Sequence, residues 1–173
     1  VATLSFQSPL GPVRITGDAQ GIQRISCLDE PLPPAPSAAE EATPEGSVPA
    51  PLLACREQLE AYCRGELRSF DLPLAQQGTP FQQAVWRLLL EVPFGETCSY
   101  RTLSRRYGEE KAIRAVAAAN GRNPLWIVVP CHRIIGSNGE LTGYAGGLWR
   151  KKWLLDHELS ILRPSAQQLS LFG

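Results

Sequence analysis

The chain has 173 residues, 43% of them hydrophobic, which is enough for the core of one sizeable domain or two small ones. It has no apolar run of about 18 residues, so no helical membrane span is expected. Five cysteines without a CxxC pair or regular spacing argue against a disulfide framework and suit a reducing cytoplasm.

The 17 basic and 17 acidic side chains cancel overall but are unevenly placed. Residues 79–163 hold 12 Lys+Arg against 7 Asp+Glu, a net +5, whereas residues 1–78 hold 5 against 10, a net −5. A polyanionic partner therefore suits the second half alone. The opening "VATLSFQSPLG" has no basic region ahead of an apolar stretch, so no secretory leader is expected.

"VATLSFQS", "GPVRITGD" and "GIQRISCL" are β-branched runs punctuated by glycine, and they predict an antiparallel meander. Residues 30–51 then carry seven prolines among Ala, Glu and Ser, a composition that buries too little to offset ordering, so an exposed loop is expected. "PLLACREQLEAYCRG" is helical, with Leu52, Leu59 and Tyr62 on one face and Gly65 as a C-terminal stop. "LPLAQQGTP" links the halves. In "TPFQQAVWRLLLEV", Thr79 caps a helix with proline at its first position and Phe81, Val85, Leu88 and Leu89 on one stripe.

Two short helices follow, over 99–108 and 109–121, separated at Gly108. Ser99 can cap the first, and Glu109 and Glu110 favour the start of the second. This is a helix-turn-helix outline. "LWIVVP" reads as an apolar strand or extended segment, and residues 147–162 as a final amphipathic helix. The expected fold is α/β in content and α+β in arrangement. A small antiparallel-sheet domain spans 1–78, a mostly helical winged-helix or helix-turn-helix domain spans 79–163, and 164–173 is an exposed tail.

The helix pair could bind DNA or could only pack. Arg101 and Arg105, at i,i+4, sit together on the first helix with Arg106. On the second, Ala115, Ala117, Ala118 and Ala119 leave a nearly side-chain-free surface from which Arg114 stands out. Small residues of this kind also permit close helix packing.

Cys27, Cys55, Cys63 and Cys98 read as inert core thiols. Cys131 differs because His132 and Arg133 follow it directly, and cationic neighbours lower a thiol pKa. Adjacent side chains on an extended chain point to opposite faces, so Cys–His contact needs a turn after Pro130 or a bridging water. Glu158 and Asp156 are the carboxylates that could orient the imidazole, and His157 reads as a packed surface residue. No ligand spacing for zinc is present, and no cofactor is expected.

At this point "PCHRIIGSNGELTGYAGGLWRKKWLLDHE", with "TPFQQAVW", "PFGETCSYRTLS" and "RAVAAANGRNP" in order, resembles the O6-alkylguanine-DNA alkyltransferase family over residues 79–163; the amino-terminal meander agrees more loosely. The resemblance implies a ribonuclease H-like first domain. It also implies single-turnover DNA repair, in which an alkyl group leaves O6 of guanine, or O4 of thymine, for Cys131 after the nucleotide flips out. His132 would act through water with Glu158 behind it. Tyr100 would donate to the guanine ring, Asn123 would tie the helix pair to the active segment, and Lys151 would belong to the site.

On the DNA side the resemblance implies Arg114 as the residue entering the stack, with Arg101, Arg105 and Arg122 and the small Ala115, Ala118 and Ala119 against the duplex. The pocket would comprise Trp126, Val129, Ile134, Tyr144, Ala145 and Gly146. Trp126 stands where relatives often have a smaller residue, and Ala145 where some carry serine. Neither the zinc-holding Cys/His set of some members nor the methyl-sensing domain fused to others is expected.

In the tail, Gln168, Leu169, Ser170, Leu171 and Phe172 form "QLSLF", which resembles the pentapeptide that docks bacterial proteins on the polymerase sliding clamp; folding back onto the core is the alternative. The partners expected are alkylated duplex DNA and that clamp, with no membrane. A monomer in the cytoplasm, associated with the nucleoid, is expected. Three rival readings remain: a non-catalytic binder of alkylated DNA, a helix-turn-helix regulator, and a thiol hydrolase. The intact Cys131 speaks against the first.

Overall fold

The computed structural model describes residues 1–29 and 47–163. These form two compact units: Val1–Gln77 with Pro124–Val128, and Gly78–Asn123 with the described residues from Val129 onward.

In the first unit, β1 (Ala2–Ser8), β2 (Gly11–Asp18) and β3 (Gly21–Cys27) form an antiparallel meander with Phe6 opposite Val13 and Ile15 opposite Ile25. Alternation along β2 buries Val13 and Ile15, and helix α1 (Ala50–Cys63) covers the sheet with Leu52, Cys55, Leu59 and Tyr62. The register shifts at Thr16/Gly17, where a side-chain carbon on Gly17 would run into the Gly21 carbonyl. That bulge requires glycine.

Two expectations change in this unit. The proline-rich loop does not run to residue 51. Val48 is buried, Pro49 caps α1, and Pro51 occupies its first turn, where the missing N–H costs nothing. The rest of that loop, residues 30–46, lies outside the described residues.

"LWIVVP" is not a strand. Leu125 alone bridges, to Ile25, flanked by Ile25 N–H to the Pro124 carbonyl at 2.8 Å. Beyond it the backbone turns at once: Val128 N–H reaches the Trp126 carbonyl, Cys131 N–H reaches that of Val129, and Ile127 adopts φ 74°. A β-branched residue there carries strain of roughly 1–2 kcal/mol, which its complete burial offsets. The chain leaves the first unit at Val128 and enters the second at Val129.

The second unit opens with α2 (Pro80–Leu89). Thr79 accepts from the Gln82 N–H and Gln82 returns a bond to the Thr79 N–H, a complete capping box. Val85, Trp86 and Leu89 are buried, and the Trp86 indole donates to the Ala119 carbonyl at 2.9 Å. The two-residue strand β4 (Cys98–Ser99) leads into α3 (Tyr100–Tyr107), which Ser99 caps and Gly108, in the left-handed conformation, ends.

The next helix does not begin at 109. Glu109 is extended and residues 110–112 form a 3-10 turn, so α4 spans Ile113–Gly121. Strand β5 (Ile134–Ile135) lies parallel to β4, and α5 (Leu148–Leu162) closes the described chain. Its start is one residue later than expected because Gly147, at φ 91°, is the cap.

Candidate active site

The β4–β5 pairing organises the site. Cys98 sits beside Ile134 and Ser99 beside Ile135, so the first residue of α3, Tyr100, is brought to the segment that follows the cysteine. Pro130 turns the chain, and Cys131–Arg133 form a single 3-10 turn with all three side chains buried. The chain thus turns after Pro130, yet His132 Nδ1 takes no hydrogen bond among the described residues, so the turn alone does not join thiol and imidazole.

Cys131 is 4% exposed. Burial pushes its thiol up to about 11, against the opposing pull of the Asn123 side chain bonded to it and the Lys151 charge. The expectation that His132 and Arg133 would lower this pKa is therefore corrected, because both side chains are committed elsewhere. Asn123 is buried at the end of the helix pair and also donates to the Val129 carbonyl at 2.8 Å, joining the helix pair to the turn.

Behind the cysteine lies a closed ionic cluster. His132 Nε2 is 2.7 Å from Glu158 Oε2. Arg133 forks onto the same carboxylate, Nε to Oε1 at 2.9 Å and Nη2 to Oε2 at 3.0 Å, and its Nη1 donates to the Val92 carbonyl at 2.7 Å. The Gly95 N–H adds a bond to Glu158 Oε1 at 3.0 Å. Burial alone would raise the Glu158 pKa, but the bonds and charges of His132 and Arg133 hold it well below the usual carboxylate range.

Burial lowers His132, with Arg133 and Lys151 adding to the effect and Glu158 opposing it, so the ring is neutral. A carboxylate on Nε2 requires the proton there, which leaves Nδ1 as a bare acceptor. Nδ1 is buried and has no hydrogen-bond partner among the described residues. Asp156 instead pairs with Lys152, and His157 stacks on Trp153 at 4.6 Å, so neither joins the cluster.

On the other side, Lys151 is fully buried, donating to the carbonyls of Ile134 at 2.5 Å and Thr142 at 2.8 Å. Burial lowers its pKa to about 8. The Tyr100 hydroxyl donates to the same Thr142 carbonyl at 3.1 Å. Tyr144 and Gly146 are buried on the following segment and Ala145 is exposed. Trp126, partly exposed, belongs to the first unit, where its N–H reaches the Ile25 carbonyl at 3.4 Å.

On α4, Arg114, Ala115, Ala118 and the following Arg122 are exposed together. Ala119 is not on that face: it is buried, with its carbonyl under Trp86. Arg101 and Arg105 are exposed and converge on Glu110, at 3.7 and 3.2 Å. No group of three potential metal ligands occurs among the described residues, and the "QLSLF" segment lies outside them.

Sequence reasoning missed two participants. Arg133 was read as a neighbour of the thiol and is the partner of Glu158. Thr142 contributes through its carbonyl, and a carbonyl leaves no signal in side-chain type.

Residues 3–76 match the family model of the 6-O-methylguanine DNA methyltransferase ribonuclease-like domain, and residues 80–160 match that of the DNA binding domain of the same proteins. A methylated-DNA–protein-cysteine methyltransferase of Methanosarcina acetivorans is 45% identical, over 88% of this chain and 95% of its own length. One of Mycobacterium bovis is 42% identical, over 90% and 91%. The crystal structure of Mycobacterium tuberculosis OGT in complex with DNA superposes with a TM-score of 0.80 at 42% identity, covering 93% of this chain and 94% of that one.

Proposed function

The chain belongs to the 6-O-methylguanine DNA methyltransferase family and repairs DNA by transferring an alkyl group to a cysteine, and from that premise we propose that the acceptor is Cys131. The observation that carries the reading is one turn holding a buried thiol beside a neutral histidine. That histidine is fixed on Nε2 by Glu158 and keeps Nδ1 free to accept a proton.

The thiol proton passes through a water to His132 Nδ1, since neighbouring residues do not bond directly. The sulfur attacks the alkyl carbon of O6-alkylguanine, or of O4-alkylthymine. A C–S bond forms, and the C–O bond breaks with its electron pair going to the base. Tyr100 turns its hydroxyl from the Thr142 carbonyl, which Lys151 continues to hold, to donate to the ring as this charge develops, and the Lys151 ammonium favours the thiolate. Glu158 stays ionised and stabilises the imidazolium that forms. The thioether C–S bond is stable and its thiolate a poor leaving group, so each molecule acts once.

O6 of guanine is buried within a duplex, so the nucleotide must rotate out. Arg114 stands alone among Ala115 and Ala118 on the exposed face of α4, which suits a helix lying close in a groove with one arginine entering the stack. Arg122 and, once released from Glu110, Arg101 and Arg105 supply phosphate contacts.

The protein acts as a monomer on duplex DNA in the cytoplasm, near the nucleoid. Through Gln168–Phe172 it docks on the sliding clamp, with Leu171 and Phe172 as apolar anchors.

The test is the mass of intact protein after incubation with duplex DNA carrying O6-methylguanine. One methyl group should appear on Cys131 and none on Cys131→Ser. Methyl uptake by Cys131→Ser, or product beyond one equivalent per protein, overturns the assignment.

A further inference from the structure

The segment from Thr142 to Gly147, "TGYAGG", contains three glycines, of which Gly143 and Gly147 adopt φ 62° and 91°. Such a sequence has little intrinsic rigidity. It nevertheless carries Tyr144, Ala145 and Gly146, which the family resemblance places in the pocket for the flipped base, and the inference rests on that pocket and on the proposed transfer to Cys131. What holds it is therefore decisive for the reaction.

Three anchors hold it. At its start, the Thr142 carbonyl takes bonds from Tyr100 Oη and Lys151 Nζ. Within it, the Gly147 N–H reaches the Tyr144 carbonyl at 3.0 Å. At its end, Arg150 Nη1 donates to the Gly146 carbonyl at 2.9 Å.

The third anchor is a buried arginine under an aromatic ring. Arg150 is only 3% exposed although it lies in the first turn of α5. Its guanidinium is stacked 4.6 Å from the centroid of the Trp149 ring. The Trp149 indole in turn lies back over Gly147, within 3.4 Å of where a side-chain carbon would stand. Trp149 is 52% exposed, so its outer surface is given to water while its inner surface roofs the arginine and the glycine. A planar guanidinium lays its face on the indole while its edge donates to the carbonyl, a geometry that an ammonium, as a point charge, does not reproduce.

We propose that Arg150 is a positioning residue for alkyl transfer. Roofed by Trp149, it pins the Gly146 carbonyl and so fixes the base-reading segment, whose other end is pinned by the chemical groups Tyr100 and Lys151. It acts on the recognition of guanine, not on the nucleophile. Misplacement of a substrate-holding group by about 1 Å costs on the order of 100-fold in rate.

The experiment measures single-turnover transfer rates from duplexes carrying O6-methylguanine or O4-methylthymine, together with affinity for unmodified duplex. Arg150→Gln, Arg150→Lys and Trp149→Ala are compared with wild type. Arg150→Gln should lose about 10- to 100-fold in the saturating rate on O6-methylguanine and lower the preference for guanine over thymine. Its duplex affinity, set by α4, should be unchanged.

Trp149→Ala, which removes a half-exposed side chain and leaves the fold intact, should move the same ratio in the same direction. Arg150→Lys should recover only part of it. A preference ratio equal to wild type in both Arg150→Gln and Trp149→Ala, or a loss confined to melting temperature, overturns the proposal while leaving transfer to Cys131 standing. Failure of the wild type to take up methyl would instead remove the functional reading itself.

Discussion

Replacing Arg133 by methionine should both weaken the fold and move the pH dependence of transfer. The substitution keeps an apolar stem of similar reach but deletes the guanidinium fork on Glu158 and the bond to the Val92 carbonyl. Glu158, fully buried, is left with His132 and the Gly95 N–H. Removing one partner of a buried pair costs about 3–5 kcal/mol, which for a domain of this size lowers Tm by roughly 6–20 °C.

The effect on chemistry follows from sign. Arg133 is one of the groups that hold His132 below its ordinary pKa, and Glu158 is the group that pulls it up. Without Arg133 the pull of Glu158 is opposed only by burial and the Lys151 charge, so His132 protonates at higher pH than in wild type. The acid limb of the rate profile, measured by single-turnover methyl transfer from duplex DNA, should move to higher pH. Arg133→Lys keeps the charge and loses the fork. It should be destabilised less and show an acid limb near that of wild type. An acid limb that stays in place or moves lower in folded Arg133→Met would refute the coupling of Arg133 to His132 through Glu158.

Three further outcomes are expected. Glu110→Gln frees Arg101 and Arg105 from an exposed pair, so affinity for unrelated duplexes should rise and its salt dependence steepen; unchanged binding would show that these arginines do not meet phosphate. Lys151 falls from an ordinary 10.5 to about 8 in the fold, so the unfolded chain binds more protons there and the Lys151 contribution to stability rises with pH above 8; the raised thiols of Cys55, Cys63, Cys98 and Cys131 work in the opposite sense as pH passes their ordinary 9. The thiol contributions are common to both proteins, so denaturant unfolding should show wild type gaining up to about 1 kcal/mol over Lys151→Met between pH 8 and 9, and a difference that stays constant over that range would remove the effect from Lys151. Deleting residues 168–172 should abolish binding to the sliding clamp and leave methyl transfer in solution intact; clamp binding that survives the deletion removes that role from the tail.

The parts of this architecture that were legible in the sequence are those decided within a few residues. Thr79, Ser99 and Gly108 mark helix ends through bonds to their own neighbours, and the strands of the meander follow from β-branched runs broken by glycine. The errors lie where distant residues decide. "LWIVVP" is apolar because it is buried, and burial without alternation does not distinguish a strand from a buried turn; the φ of Ile127 and the bends after it emerge only in the fold. Ala119 looked like part of a bare DNA-facing surface until Trp86, 33 residues earlier, claimed its carbonyl.

The catalytic pairings divide along the same line. Cys131 and His132 were visible because they are adjacent, and adjacency led to the wrong electrostatics. It placed Arg133 beside the thiol, when the turn directs that side chain to a carboxylate 25 residues away. The consequence is mechanistic. A thiol held near 11 by burial is unreactive at neutral pH, so reactivity has to come from proton removal at the moment a substrate is present. The cluster of His132, Glu158 and Arg133 meets that requirement because it keeps the histidine neutral and its base nitrogen unpartnered, while the Lys151 charge on the other side favours the thiolate that results.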